Sequence, residues 1–76
     1  MKAYILMNCR TGSIPEVIRN IRNIKGVLDA NMTFGPYDAV IVVEAQNINH
    51  LGRLIANDIH PIPGVLDTIT CLVTET

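Results

Sequence analysis

The segment Gly35-Pro36-Tyr37-Asp38 carries residue types that could bind a small charged molecule. Glycine permits unusual φ values, proline stiffens a turn, and free backbone N–H groups in such a turn can meet a carboxylate. The Asp38 carboxylate could hold an ammonium group, and a charge-assisted contact of that kind adds about 1.5 to 3 kcal/mol. A ligand that has both a carboxylate and an ammonium group, such as an amino acid, fits this chemistry. The candidate ligand-binding residues, with two threonine hydroxyls completing the lining, are Gly35, Tyr37, Asp38, Thr68 and Thr70.

These residues also have a purely structural interpretation. Glycine, proline and aspartate are common turn formers, and threonine is common in strands. Tyr37 could line a site or pack its ring at an interface, where tyrosine is enriched because one end tolerates water. The residues alone leave both interpretations open.

Other kinds of chemistry have less support. His50 and His60 are ten residues apart, and no second histidine or cysteine follows at metal-ligand spacing on the same helix face, so we expect surface histidines and no metal site. The spacing of Cys9 and Cys71 is not that of a disulfide framework, and we expect two buried free thiols. The Gly-rich phosphate loop and the dinucleotide fingerprint are both missing. We therefore expect no cofactor and no catalytic residue.

The composition indicates one small domain, residues 1–76, that associates with other chains. Hydrophobic residues make up 49% of the 76 residues and charged residues 17%, and a chain this short buries only about 60% of its unfolded surface. The net charge of −1 argues against direct nucleic-acid binding. The longest apolar runs are five residues, too short to cross a membrane, and no secretory signal is recognisable. We expect a cytoplasmic protein.

The chain is predicted to contain two copies of a strand–helix–strand unit. Ile21 to Asp29 matches Ile59 to Asp67 at six positions, with an offset of 38 residues. The match places a helix end, a glycine turn and a strand start at equivalent points in each half. The secondary-structure signals fall into the same register, which favours a true repeat over coincidence.

Each unit carries signals for one helix. The first helix should begin near residue 14, after the capping-box pair Ser13 and Glu16, and end by Gly26. The second should be capped by Asn47 or Asn49 and closed by prolines at 61 and 63. Gly52 inside it costs about 1 kcal/mol relative to alanine, and we expect close packing against a neighbour to compensate. The predicted apolar stripes are Ile14, Val17, Ile18, Ile21 and Ile24, and Ile48, Leu51, Ile55 and Ile59.

Four strands complete the predicted fold, because four segments are rich in β-branched residues and bounded by turn residues. The order βαββαβ with right-handed crossovers defines an α+β, ferredoxin-like split βαβ fold. Its four-stranded antiparallel sheet has strands one and three in the centre and both helices on one face. The predicted strands are Lys2–Cys9, Val27–Phe34, Asp38–Ala45 and Val65–Thr74.

Both central strands are apolar on both faces, which is unusual for a sheet with one face in water. Tyr4 and Leu6 alternate with the core-facing residues of strand one, and Val40 and Val42 do so in strand three. A second layer must cover the open face. We predict a homodimer formed by sheet-on-sheet packing through that face.

The sequence resembles the effector domain of the Lrp/AsnC family of transcriptional regulators, called RAM, over essentially the whole chain. The resemblance rests on the Gly-Pro-Tyr-Asp hairpin at 35–38, the Ile62-Pro63-Gly64-Val65 start of the last strand, the following Thr68 and Thr70, and the matching length. It implies the same βαββαβ order. It also implies an amino-acid effector bound between dimers that assemble further, as an octamer or similar ring, and it points to the same hairpin.

Full-length members of that family carry an N-terminal helix-turn-helix domain, whereas this sequence begins almost directly with the first strand. We therefore expect a stand-alone sensing and oligomerisation module in transcriptional regulation that does not contact DNA. Full-length family members are candidate partners for mixed assemblies.

Three alternatives stay open. Small ferredoxin-like dimers include monooxygenases and isomerases, but the predicted interior here is apolar and offers no titratable group, so we expect no enzyme. An ACT-type amino-acid-sensing domain shares the strand order but associates edge to edge. A partner module without any ligand is the third.

Overall fold

Strands and helices alternate along the chain in the predicted order βαββαβ. The structure, a computed structural model, describes residues 1–74. Its strands are β1 (Lys2–Cys9), β2 (Val27–Met32), β3 (Ala39–Glu44) and β4 (Val65–Leu72). Its helices are α1 (Ile14–Arg22) and α2 (Ile48–Arg53), and α2 continues directly as a π-helical segment (Leu54–Ile59). Among residues 1–74, no helix has the length and apolar character needed to span a membrane.

The four strands form one antiparallel sheet in the order β2-β3-β1-β4, which confirms the ferredoxin-like fold. Three strands are shorter than predicted. β2 ends before Phe34 and β3 begins after Asp38, because the segment between them folds into a turn in which the Thr33 N–H donates to the Asp38 carbonyl at 3.0 Å. β4 stops at Leu72 rather than Thr74. Its last bond runs from the Val73 N–H to the carbonyl of Lys2, the first residue of β1, so the partner strand ends there.

The core lies between the helices and one face of the sheet. β1 and β3 contribute the alternating residues of one face, as the period of a strand requires. The helices contribute apolar stripes at helical spacing. The main buried side chains are Ala3, Ile5, Met7, Ala39, Ile41, Val43, Val17, Ile18, Ile21, Leu51, Leu54 and Ile59.

The backbone confirms the predicted repeat. Gly26 and Gly64 have the same φ of +100°, a conformation that side chains other than glycine rarely adopt. The strand that follows each glycine starts with the same bond, from the Val27 N–H to the Ile24 carbonyl and from the Val65 N–H to the Ile62 carbonyl, both at 3.2 Å. Each glycine carbonyl also accepts a hydrogen bond from the end of the central strand of the other unit. The Glu44 N–H donates to the Gly26 carbonyl at 2.8 Å, and the Arg10 N–H donates to the Gly64 carbonyl at 2.7 Å.

The predicted capping box of α1 does not form. Ser13 is the N-cap, but its side chain makes no capping hydrogen bond. The Glu16 carboxylate instead accepts a hydrogen bond from Arg19, one helical turn further on. At α2 the cap prediction is confirmed, because the Asn47 side-chain oxygen accepts the His50 N–H at 2.8 Å.

The second helix departs from its predicted stripe. Leu51 and Ile59 are buried as predicted, but Ile48 is 53% exposed and Leu54 is buried in addition. The wider turn of the π-helical segment accounts for the five-residue interval between the buried Leu54 and Ile59, whereas Ile48 lies before that segment, in the first turn of α2. The expectation of close packing at Gly52 is wrong, because a Cβ built there meets no atom within 4 Å.

Candidate functional site

Asp38 ties the loop between β2 and β3 to the end of β1. Its Oδ2 accepts a hydrogen bond from the Cys9 N–H at 2.7 Å, and its own N–H donates to the Met7 carbonyl at 2.9 Å. Burial raises the pKa of the Cys9 thiol, and the negative charge of Asp38 adds to that effect. One carboxylate oxygen of Asp38 therefore has a structural role. Its Oδ1 makes no hydrogen bond to the rest of the described chain and remains available to an ammonium group.

The rest of the loop is exposed. Gly35 and Pro36 lie at its tip beside Phe34, whose side chain is fully exposed. Gly35 does not have a positive φ, so the special backbone conformation expected of it is not observed. Tyr37 is half-buried, and its carbonyl accepts the Thr33 hydroxyl at 2.7 Å.

Thr68 and Thr70 lie on β4, opposite Met7 and Ile5 of β1. Residues directly opposite in antiparallel strands share a face, so both threonines are on the helix-facing side of the sheet. Thr70 is exposed, and the hydroxyl of Thr68 is hydrogen bonded to Nε2 of His60 at 2.8 Å.

Within one chain, β1 separates Asp38 from the threonines. Met7 pairs with Ala39 on one side and with Thr68 on the other. Two strand spacings amount to about 9–10 Å. The chain therefore does not gather the five predicted ligand-binding residues into one pocket.

The two cysteines have different surroundings. Both cysteines are free, but only Cys9 is buried. Cys71 is exposed because it lies on the edge strand β4 opposite Tyr4, on the open face of the sheet, so its predicted burial is wrong.

His60 is exposed, whereas His50 is half-buried and its Nδ1 accepts the Gln46 N–H at 3.0 Å. In the described part of the chain, no three His, Cys, Asp or Glu residues lie together as a metal site.

The open face of the sheet has an apolar centre and a polar rim. Tyr4 and Ile69 are 40% and 48% exposed, and their neighbours on β1 and β3, which are Leu6, Val40 and Val42, are half-buried. This is the arrangement of a protein–protein interface, with an apolar core and a wetter border. The polar residues that the strand register places on the same face are Lys2, Asn8, Asp29, Asn31, Glu44 and Asp67.

The outer edge of β2 is blocked. The Arg22 side chain donates to the Ala30 carbonyl through Nε at 3.1 Å and through a terminal nitrogen at 2.8 Å. The Ala30 N–H donates to the Asp29 side chain at 3.0 Å. An incoming strand would find both polar groups of Ala30 occupied, which disfavours edge-to-edge pairing along β2.

The fold is that of a ferredoxin-like α+β domain whose open sheet face has the composition of an interface. The family model for the Lrp/AsnC ligand binding domain matches residues 2–76, and the chain belongs to that family.

The relatives are mostly transcriptional regulators. The HTH-type transcriptional regulator FL11 of Pyrococcus abyssi is 32% identical over 76 residues, which are 100% of this chain and 50% of that protein. The chain thus spans about half the length of the curated relatives it matches first. One enzyme is also similar: the homocitrate synthase of Sulfurisphaera tokodaii is 32% identical over 99% of this chain, which corresponds to 16% of that protein.

Solved structures show the same fold. The crystal structure of FFRP-DM1 has a TM-score of 0.91 at 27% identity and covers 96% of this chain and 97% of its own. The complex of the transcriptional regulator NMB0573 from Neisseria meningitidis with L-Met has a TM-score of 0.88 at 18% identity, covering 97% of this chain and 49% of its own.

Proposed function

We propose that this domain binds a small amino acid and, through its assembly with other copies, conveys that signal to transcriptional regulation in the cytoplasm. The match of the Lrp/AsnC ligand binding domain to residues 2–76 carries the proposal. The L-Met complex of the regulator NMB0573 supports an amino acid as the effector. Asp38 supports it chemically, because one carboxylate oxygen remains available to an ammonium group.

The assembling unit is a homodimer formed through the open sheet face. Covering that face removes from water the apolar side chains of both central strands, Tyr4, Leu6, Val40 and Val42. The blocked edge of β2 supports face-to-face packing over the edge-to-edge mode of an ACT-type domain. Further assembly of dimers, up to an octamer, would bring loops of different copies together.

The ligand site is completed between copies. In one chain, β1 lies between Asp38 and the threonines. A neighbouring copy that places its own β4 beside the loop of residues 35–38 would bring Thr68 and Thr70 towards Asp38, Gly35 and Tyr37. Ligand binding then favours the assembled state, because only that state contains the whole site.

Thermal unfolding of the purified protein in the presence of each of the twenty amino acids tests this function, with native mass spectrometry to read the assembly. A ligand at 100 times its dissociation constant should stabilise the folded form by about 2.7 kcal/mol per site. Asp38→Asn is the informative variant, since it removes the charge but keeps an oxygen that can accept the Cys9 N–H. Asp58→Asn, which removes the same charge from an exposed position of the second helix, away from the open sheet face, is the matched control.

We expect one amino acid or a few similar ones to raise the unfolding midpoint, and Asp38→Asn to abolish the rise while Asp58→Asn retains it. No stabilisation by any amino acid in a protein that still assembles would contradict the sensor function and leave a ligand-free association module. A monomer at micromolar concentration would contradict the dimer.

The similarity to homocitrate synthase favours a second candidate, in which such a domain regulates an enzyme instead of a DNA-binding protein. The same ligand site would serve both. Mixing the purified domain with a full-length Lrp/AsnC regulator and recording native mass spectra separates the two, because mixed assemblies form only if a family regulator is the partner.

A further inference from the structure

An open cleft of about 1040 Å³ lies at the opposite end of β3 from Asp38. Ligand sites in proteins commonly have volumes of about 300–1,000 Å³, so the cleft is large enough for a small metabolite. Its walls are the turn after α1, the end of β3, and one side of α2 with its π-helical continuation. The lining side chains with polar or charged groups are Lys25, Glu44, Gln46, His50, Arg53, Asn57 and Asp58.

The helical wall of the cleft presents one polar stripe. His50, Arg53 and Asn57 follow each other at intervals of three and four residues, which places them on one side of a helix. The π-helical turn, seen in the His60 N–H donating to the Ile55 carbonyl at 2.8 Å, overlaps the end of this stretch. Such turns occur frequently at functional sites, where they redirect side chains.

The opposite wall is held firmly in place. Gly26 has a φ of +100°, and a Cβ built on it would lie 3.0 Å from Leu54 Cδ1 and 3.1 Å from the Glu44 carbonyl oxygen. The Glu44 N–H also donates to the Gly26 carbonyl at 2.8 Å. The turn, β3 and the π-helical segment are therefore packed against each other before any ligand arrives, which lowers the cost of ordering a site.

The two side-chain cations of the cleft, Lys25 and Arg53, make no ion pair in the described part of the chain. Within residues 1–74, the ion pairs are Met1 with Glu44 and Arg19 with Glu16, so neither Lys25 nor Arg53 is in an ion pair. The Met1 ammonium lies 2.6 Å from Glu44 Oε2 and occupies that carboxylate. Two cations are thus left against the single carboxylate of Asp58.

His50 adds a further hydrogen-bond donor to the cleft. Its Nδ1 accepts the Gln46 N–H, so in the neutral ring the proton is on Nε2, which can donate. Amide groups of Gln46 and Asn57 line the same space. Guanidinium, ammonium and imidazole N–H groups around one cleft are the donors that carboxylate and phosphate groups require.

We propose that this cleft is a second binding site, separate from the Asp38 loop, for a small anionic metabolite whose carboxylate or phosphate group is held by Lys25 and Arg53. Arg53 supplies the bidentate contact and Lys25 the second charge. His50 donates to the same group. The site is present in a single chain and does not depend on the amino-acid site or on assembly.

Titration of the isotope-labelled full chain with citrate and, separately, with inorganic phosphate, followed by two-dimensional NMR, tests the proposal. We expect saturable shifts of the amides of residues 25–26, 44–46 and 50–58. Arg53→Gln should weaken binding about tenfold or more, because a charge-assisted contact is lost. Arg10→Gln, which removes the same charge at the other end of β1, should leave the affinity unchanged.

The two probes separate the sources of the anionic group. Saturation with citrate alone assigns the cleft to carboxylates, and saturation with phosphate alone assigns it to phosphorylated compounds. Shifts that grow linearly without saturation for both probes, or an equal loss of affinity in Arg53→Gln and Arg10→Gln, would overturn the proposal. Asp38→Asn is expected to leave this binding intact, so failure of the amino-acid site does not affect the result.

Discussion

The first repeat contains a regular α-helix of nine residues, whereas the second contains six α-helical residues followed by six π-helical residues. Both helices lead into the same glycine turn, with the same φ and the same hydrogen bond at the start of the next strand. Both also contribute a fully buried isoleucine at the same repeat position, Ile21 and Ile59. The features that the two halves share are those that the fold requires.

The two halves differ in what the polar side chains of their helices contact. On α1, Arg19 is paired with Glu16, and Arg22 covers the edge of β2. On the second helix, Arg53 and the neighbouring polar groups face a cleft and make no ion pair within the described residues. The arginines of α1 therefore make contacts within the fold, whereas Arg53 on α2 is available to bind a ligand in the cleft.

Truncation of the equivalent isoleucines of the two helices should give the largest loss in the free energy of unfolding. Ile21→Ala and Ile59→Ala each remove a side chain that is 0% exposed, and such changes cost about 2–5 kcal/mol. Chemical denaturation of both variants measures the two free energies of unfolding. Similar losses would show that the two helices carry the core equally. A clearly smaller loss for Ile59→Ala would show that the π-helical segment collapses into the space and is the softer half.

Substitution of the two turn glycines should give a smaller loss of stability, and the loss should differ between the two repeats. At Gly64 an added Cβ would lie 2.7 Å from Ser13 Cβ and 3.0 Å from Val17 Cγ2. At Gly26 its nearest neighbours would be the flexible end of Leu54 at 3.0 Å and the Glu44 carbonyl oxygen at 3.1 Å, both farther away than Ser13 Cβ is from Gly64. A left-handed conformation alone costs a side chain about 1–2 kcal/mol, so both alanine variants should lose at least that much, and Gly64→Ala should lose more.

Gly12→Ala is the matched control for the glycine pair. Gly12 has a φ of +88°, and nothing lies within 4 Å of an added Cβ. Its loss of stability in the same denaturation experiment measures backbone strain without a clash. If Gly64→Ala loses no more than Gly12→Ala, the contact between that turn and α1 is not tight, and the two turns differ less than their geometry indicates.

Much of the fold could be predicted because its signals are local and repeated. Period-two alternation identified β1 and β3, and the match of Ile21 to Asp29 with Ile59 to Asp67 gave the repeat that the backbone confirms. Ends of elements were less predictable, because competing contacts decide them. The Ser13 N–H, which a capping box pairs with the Glu16 carboxylate, donates to the Arg10 carbonyl instead, and β4 stopped where β1 provides no further partner.

The candidate site could be predicted only as a set of residue types. The sequence places a carboxylate at Asp38 and hydroxyls at Thr68 and Thr70, but it does not show that β1 lies between them. The cleft beside α2 was not predicted. A π-helical turn has no simple sequence signature, so the three- and four-residue spacing of His50, Arg53 and Asn57 was the available signal.

Gly52→Ala should have the smallest effect, and it should stabilise the protein. Gly52 lies inside α2, has open space around it, and costs about 1 kcal/mol relative to alanine. Ala56→Gly makes the reverse change at an exposed position of the π-helical segment. Thermal unfolding should show a gain for the first variant and a loss for the second. If Ala56→Gly costs nothing, helical preference does not hold the π-helical segment in place, and its conformation is set by the packing of Leu54 and Ile59 alone.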